Sequence, residues 1–276
     1  MDGVQRVLAP TDWPARLAAR LGASHAVQVE RHDVAVSASL GTANELRIAF
    51  AADFHAGPMT STKVLDRAVQ LLAEAGADLL LLGGDFVSLR ADDARRLIKL
   101  LAQVPAPLGR FAVLGNHDYW TAAPAIVEQL RSAGIRVLTN DHMRLPAPFE
   151  NVGVCGVDDH TSGEPDATAA FADTAPVRIV LMHAPSGLLD IGDRPFALAL
   201  CGHTHGGQIA LWNGRPLIVA HGRLSRRYSA GQFLLEDGRV LLVSRGLGCS
   251  TLPVRFNSPA SVMICTMRGD VGARFE

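Results

Sequence analysis

Short apolar runs separated by amphipathic stretches set the frame of this chain. Residues 34–40 and 46–51 read as two strands joined by a tight turn. Beyond them Val64, Leu65, Ala68, Leu71 and Leu72 share one face at helical spacing, with Thr60 or Ser61 placed to cap the first turn and Gly76 to close the last. Four consecutive leucines at 79–82 predict a strand covered on both faces. The alternation then repeats. Asp92 and Asp93 sit where a helix N-terminus favours negative charge, Leu97, Ile98 and Leu101 supply that helix with an apolar face, and 111–114 predicts the next strand. Pro124 opens a further helix, Gly134 ends it, and 135–138 is the strand that follows. Such a β-α-β-α-β-α-β series predicts parallel pairing through right-handed crossovers, with ligands gathered beyond the carboxyl ends of the strands.

After residue 145 the pattern turns strand-rich with short loops. Strands are expected at 152–157, 178–182, 198–201, 208–211, 231–235, 240–243 and 261–266, with a helix between 167 and 174 and a helical turn near 186–190. Residues 1–25 are different. Leu8, Trp13, Leu17 and Leu21 recur among Arg16 and Arg20, which reads as an arm packed on the core, with a lipid-contacting segment as the alternative. The chain therefore divides into an N-terminal arm and first strand over 1–45 and a main domain over 46–270.

Composition narrows the class. A chain of 276 residues with 48% hydrophobic content can bury a substantial core, and 26 basic against 27 acidic residues give no cationic excess for a nucleic-acid surface. Cys155, Cys201, Cys249 and Cys265 form no C-x-x-C pair, so buried thiols are expected rather than disulfides or a structural zinc. No secretory signal and no apolar run of membrane-spanning length is visible, which gives an expectation of a cytoplasmic protein, with peripheral contact at the inner membrane as the alternative.

The polar clusters fall at the ends of the apolar runs. Asp53-Phe54-His55, Gly83-Gly84-Asp85, Gly115-Asn116-His117-Asp118, the lone His183 and Gly202-His203-Thr204-His205 each follow a strand-like segment. Any one of them reads equally well as a turn, a cap or a satisfied core histidine. Together they make a set of carboxylate, imidazole and amide oxygen donors without a thiolate, which suits manganese, iron or zinc at an open site. A two-metal site needs a ligand reaching both ions, and Asp85 is the natural one because its motif lies between the others on a central strand. Two cations about 3.5–4 Å apart lower the pKa of a bridging water and neutralise phosphoryl oxygens during in-line attack.

This set of motifs resembles the calcineurin-like metallophosphoesterase superfamily over residues 46–270. The stretches 202–209, 244–248 and 252–257 are similar to a bacterial branch that includes small phosphodiesterases and a UDP-2,3-diacylglucosamine diphosphatase. The resemblance implies an α/β fold: a four-layer α/β/β/α sandwich of two mixed sheets with a dimetal site at the strand C-terminal ends. It implies two divalent metal ions, manganese ahead of iron or zinc, with Asp53, His55 and His205 on one, Asn116, His183 and His203 on the other, and Asp85 bridging. It makes His117 the group that stabilises the transition state or protonates the leaving oxygen, with Asp118 orienting it. Asn116 and His117 are adjacent and could not easily face one ion, which agrees. Ala52 stands where many relatives have a serine.

The implied reaction is hydrolysis of a phosphoester or pyrophosphate bond. The substrate is a phosphorylated small molecule or a nucleotide-linked lipid, the latter needing an apolar groove that residues 1–25, Trp120 and Trp212 could line. A scaffold that has lost turnover is the rival reading, and the intact motif set argues against it. Outside the motifs, Asp158-Asp159-His160 is expected in a solvated loop that could line the substrate entrance, Asp141-His142 at plain surface, and Arg223–Arg227 with Tyr228 in a basic solvated loop. Arg245 suits a phosphate contact or a loop salt bridge equally, and His25, His32 and His221 belong to no pattern.

Overall fold

In the computed structural model, which describes residues 13–20, 26–217, 219 and 222–269, the chain forms two six-stranded mixed sheets packed face to face. Leu8 and Leu21 of the expected arm, and His25 and His221, lie outside the described residues. A helix α1 (Trp13–Arg20) precedes the first sheet. That sheet contains β1 (Val27–Val36), β2 (Glu45–Ala51), β3 (Leu79–Leu82), β4 (Arg110–Ala112) and β5 (Arg136–Val137). From β2 to β5 the strands are parallel, joined through α2 (Thr62–Glu74), α3 (Arg95–Leu101), then α4 (Asn116–Thr121) and α5 (Ala123–Ser132). The repeat of strand and amphipathic helix dictates this part.

The order β1-β12-β2-β3-β4-β5 contains one insertion that the local pattern does not signal. β12 (Ala260–Gly269) returns from the far end of the chain, pairs antiparallel with β2, and runs parallel to β1 from Val27↔Ala260 to Val36↔Gly269. β1, which starts seven residues before the expected strand at 34, is thereby an edge of the same sheet as 46–51.

The second sheet has the order β10-β11-β9-β8-β7-β6, from β6 (Asp141–Arg144), β7 (Val152–Gly156), β8 (Val177–Leu181), β9 (Leu198–Cys201), β10 (Gly231–Leu234) and β11 (Val240–Val243). Its short helices are α6 (Ala167–Phe171), α7 (Gly187–Ile191) and α8 (Arg223–Arg227), the last replacing the expected basic loop. No strand forms at 208–211. A tight 3₁₀ turn at His205–Gly207 leads into Gln208 at φ 55°, and only isolated bridges, Ile209 to Phe256 and Ala210 to Pro216, follow.

Side-chain alternation explains the four layers. In β3, Leu79 and Leu81 join Ile48, Phe50, Val154, Ile179 and Leu200 between the sheets, while Leu80 and Leu82 join Leu72, Ile98 and Leu130 under the helices. β2 presents large residues, Ile48 and Phe50, to the sheet interface and small ones, Ala49 and Ala51, to the helices. A third cluster, with Val180, Leu241, Ile191 and Phe196, seals the outer face of the second sheet. The central strands of both sheets are thus buried on both faces, and their polar side chains are left for the strand ends. The four cysteines are free and buried, as expected from their apolar surroundings.

Candidate metal centre

The first sheet delivers Asp53 and His55 beyond β2, Asp85 beyond β3 and Asn116 beyond β4. The second delivers His183 beyond β8, and His203 and His205 beyond β9. Five of these residues hold positive φ: Asp53 (53°), His55 (43°), Asp85 (55°), His203 (70°) and His205 (53°). Left-handed backbone is unfavourable for residues with a Cβ, so the surrounding structure must impose it. It does so through main-chain bonds between adjacent strand ends: Asp53 N–H donates to Gly84 O (3.0 Å), His55 N–H to Asp85 O (2.9 Å) and Gly202 N–H to His183 O (2.8 Å). The turns curl each chain end so that its side chain points back across the seam. Two glycines make the approach feasible. A Cβ at Gly115 would stand 2.3 Å from Asp85 Oδ1, and one at Gly202 would stand 2.4 Å from Asp53 Oδ2.

The side chains converge tightly. Asp85 Oδ2 lies 3.4 Å from His55 Nε2 and 3.4 Å from His183 Nε2. On one side, His55 Nε2 and His205 Nε2 are 3.0 Å apart, with Asp53 in the same group. On the other, Asn116 Oδ1 is 3.1 Å from His183 Nε2 and 3.0 Å from His203 Nδ1, and those two nitrogens are 3.2 Å apart. Donor atoms of Asp53, Asp85 and His183 also fall within 4.8 Å of one another, as do those of His55, Asp85 and His117. Lone pairs face lone pairs here with few protons to share among them. The ring of His183 shows the intended direction: its Nδ1–H donates to Gly83 O (2.8 Å), which turns Nε2 toward the cluster, where it could bind a cation once its proton is lost. The donor set therefore fits divalent cations, which replace the missing protons.

Charge in the metal-free protein tells the same story. Burial pushes the Asp53 carboxyl up to about 7, against the pull of His183. Burial also drives His55 down to about 3 and His205 well below the imidazole range. Burial would raise Asp85 too, but the charge and hydrogen bond of His183, with His55, hold it well below the carboxylate range. Burial likewise opposes protonation of His183, and the Asp85 carboxylate outweighs it, so His183 sits well above its ordinary value. Protons held at Asp53 and His183 occupy the charge positions that cations would take.

His117 and Asp118 belong to the first turn of α4. The His117 N–H donates to Asp85 Oδ1 (2.9 Å), and its ring packs edge-on against His55 at 4.6 Å and tilts against Trp120 at 4.8 Å. Asp118 has a different job from the one the motif implies. Its Oδ2 accepts from Asp85 N–H (2.8 Å) and Gly115 N–H (3.0 Å), and its Oδ1 from Phe86 N–H (2.8 Å) and Val87 N–H (3.4 Å). Both oxygens are engaged by main chain, so Asp118 clamps the loop that carries Asp85 rather than the His117 ring. Burial, then the charge of Asp85, pushes its carboxyl up to about 7.

Three further features lie outside the motifs. Arg255 lies half-buried beneath His205: Nη2 donates to His205 Nδ1 (3.1 Å), Nε to Gly248 O (3.1 Å) and Nη1 to Ser258 O (3.1 Å). A guanidinium only donates, so in the metal-free protein His205 Nδ1 accepts and Nε2 carries the ring proton, which a cation at Nε2 would have to displace. Its sequence signal was the stretch 252–257, which carries part of the family resemblance without pointing to a role for the arginine. Second, Asp158 and Asp159 are buried, not solvated. Tyr119 Oη–H donates to Asp158 Oδ1 (2.5 Å), tying α4 to the second sheet, while Asp159 Oδ2 accepts from Thr161 N–H and Ser162 N–H. Third, Arg245 forms an ion pair with Glu30 (2.6 Å), which selects the salt-bridge reading.

A cavity of about 750 Å³ opens directly over the cluster, floored by Asp85, Asn116, His203 and His205. His117, Trp120, Thr161, Gln208, Ile209 and Leu252 also line it.

Comparison with known proteins agrees with this geometry. The profile of the calcineurin-like phosphoesterase family matches residues 46–207. An uncharacterized metallophosphoesterase of Aquifex aeolicus is 29% identical over 252 residues, 88% of this chain and 92% of that protein. The uncharacterized metallophosphoesterase YkuE of Bacillus subtilis is 28% identical over 252 residues, 88% of this chain and 86% of that one. The phosphodiesterase YaeI of Escherichia coli is 33% identical over 210 residues, 73% of this chain and 75% of that one.

Proposed function

The chain belongs to the calcineurin-like phosphoesterase family, and from that premise we propose that this hydrolase cleaves a phosphodiester or diphosphate bond in a phosphorylated small molecule, with two divalent cations held at the seam of its sheets. The observation that carries the reading is the position of Asp85, with one carboxylate oxygen 3.4 Å from a histidine of each side. Asp53, His55 and His205 would hold one cation, Asn116, His183 and His203 the other, and Asp85 would serve both. Manganese suits these oxygen and imidazole donors best, ahead of iron or zinc. When bound, the pair lowers the pKa of water and neutralises phosphoryl oxygens.

The chain's own residues supply the rest. His117 is part of the cavity wall and does not bind a cation in this assignment. There it stabilises the phosphoryl group or delivers a proton to the leaving oxygen. Its main-chain N–H is bonded to Asp85, and Asp118 holds the N–H groups of Asp85 and Gly115, which ties the loop of the proton donor to that of the shared carboxylate. The alternative metal role for His117, which its distance to His55 and Asp85 permits, would leave the cavity lining with no imidazole besides the assigned donors.

The test joins elemental analysis to a substrate panel: bis(p-nitrophenyl) phosphate, p-nitrophenyl phosphate and a nucleoside diphosphate ester, with manganese added. About two ions per chain and hydrolysis of the diester are expected. In the same assay His117→Ala keeps both ions and lowers kcat by roughly 10²–10⁴. Two bound ions with no hydrolysis of any substrate would return the protein to the scaffold reading. A second reading, hydrolysis of a nucleotide-linked lipid of the UDP-2,3-diacylglucosamine kind, is favoured by the apolar lining that Trp120, Ile209 and Leu252 give the cavity.

A further inference from the structure

The cavity above the donor cluster has room for much more than a phosphoryl group. Its volume of about 750 Å³ is that of a site enclosing a whole small molecule. Among the described residues that line it, none is a lysine or an arginine, and Asp85 supplies the only carboxylate. Arg255 touches His205 but does not line this cavity, and its other N–H groups go to Gly248 O and Ser258 O. Trp212, expected in an apolar groove, does not line it either, nor does any described residue of the N-terminal arm.

Part of the polar lining is committed within the protein. Gln208 Nε2–H donates to Leu252 O (2.7 Å) and Val254 O (3.0 Å), and Gln208 Oε1 accepts from Ser250 N–H (3.1 Å). Thr204 Oγ1–H donates to Ser229 O (2.6 Å). The apolar side chains left facing the space are Trp120, Ile209, Val219 and Leu252.

Trp120 is the largest of these. The turn of α4 carries Asn116, His117 and Trp120, and a spacing of three puts His117 and Trp120 on one face. The indole leans on the His117 ring at 4.8 Å, yet 60% of the residue is exposed. Its neighbour Tyr119 is bonded to Asp158, which anchors the same turn to the second sheet. An indole held beside the proton donor, open to a cavity without cationic side chains, is a stacking surface for a flat, uncharged group.

Charge sets how many anionic groups the substrate carries. Bound cations neutralise the oxygens of the phosphoryl group they hold. A second phosphate or a carboxylate elsewhere in the cavity would lose hydration and meet no cationic side chain among the described residues. A diester brings one negative charge to the cations and two substituents to the space around them.

We propose that the cavity selects a singly charged phosphodiester with an aromatic substituent, which stacks on Trp120 as the specificity-determining residue. This rests on the reading of the centre as a dimetal hydrolase. Between the two bonds named there, it selects the diester over the diphosphate.

The test uses the full chain loaded with manganese and three substrates that release the same p-nitrophenolate: bis(p-nitrophenyl) phosphate, methyl p-nitrophenyl phosphate and p-nitrophenyl phosphate. In the parent protein kcat/KM should fall in that order. Trp120→Ala should lower the ratio of kcat/KM for the bis-aryl over the methyl diester by about tenfold, through KM, and Trp120→Phe should restore most of it. Equal loss on both diesters would make Trp120 a support for His117 alone and overturn the proposal. Turnover of the monoester as efficient as that of the bis-aryl diester would overturn it too. A binding measurement separates these outcomes from failure of the hydrolase reading. In calorimetric titration of the manganese-loaded protein, diphenyl phosphate should bind about tenfold more tightly than dimethyl phosphate, and Trp120→Ala should remove the difference. If that preference holds and no substrate is cleaved, the hydrolase reading fails and the stacking site stands. If substrates are cleaved and neither preference is seen, the stacking site fails and the hydrolase reading stands.

Discussion

The two ends of the donor cluster are built from different chemistry. The end at Asp53, His55 and His205 has a carboxylate of its own besides Asp85, and a half-buried guanidinium, Arg255, braced behind one ring. The end at Asn116, His183 and His203 has a neutral amide in place of that carboxylate, and its histidine is braced by a main-chain carbonyl, Gly83 O. Ligand charge is a main determinant of affinity for a hard cation. The carboxylate-rich end should therefore fill first and release last, and the amide end should exchange more readily. The contrast also explains why Asp85 matters more than its neighbours: without it the second end has no anionic donor at all.

Four experiments break or sharpen that contrast. Asp85→Asn removes the charge that both ends use, so both ions should be lost and kcat/KM should fall by roughly 10⁴-fold or more; retention of one tightly bound ion would show that the ends do not share it. Comparing Asp53→Asn with Asn116→Ala should cost each variant one ion, the tightly held one in the first case and the exchangeable one in the second, with activity falling by about 10²–10³ in both. Calorimetric titration of the metal-free variants reads this directly, and loss of both ions from Asn116→Ala would erase the distinction. Arg255→Lys keeps the charge but not the planar geometry that supports His205, and should weaken only the first binding step, by about 10–100-fold.

The smallest effect is in pH. Asp53 has an ordinary value of 3.8 and is held up to about 7 in the metal-free fold. Its folded value is the higher one, so its contribution favours the metal-free fold below pH 3.8 and is lost as pH rises through about 7. A cation needs the opposite state, the bare carboxylate. Uptake at the first end should therefore release a proton below pH 7 and weaken by about tenfold per unit as pH falls further. Titrations in buffers of different ionisation enthalpy count that proton; uptake that is flat between pH 5 and 7 would mean Asp53 is not a ligand.

The sites that sequence made visible share one property: each lies at the end of an apolar run, where chain order and strand position coincide. Asp53, His55, Asp85, Asn116, His183, His203 and His205 could be named because a strand end has a fixed place in a parallel sheet. Where reading failed, the cause was non-local. Asp118 sits next to His117 in sequence, yet its carboxylate turns to four N–H groups, three of them about thirty residues upstream. Asp158-Asp159 looks like a polar loop and is buried because Tyr119 reaches it from another layer. Residues 208–211 have strand composition, but the left-handed turn before them leads away from the sheet.

By itself the sequence determined the alternation of strand and helix, the burial of both sheet faces, and a set of hard donors without thiolate, because those depend on periodicity and residue type. The tertiary structure decided which donors meet, through the insertion of β12 between β1 and β2, the left-handed backbone of five residues at three strand ends, and Arg255 arriving from a distant loop. Those outcomes depend on hydrogen bonds and packing between segments far apart in the chain, and no local pattern encodes them.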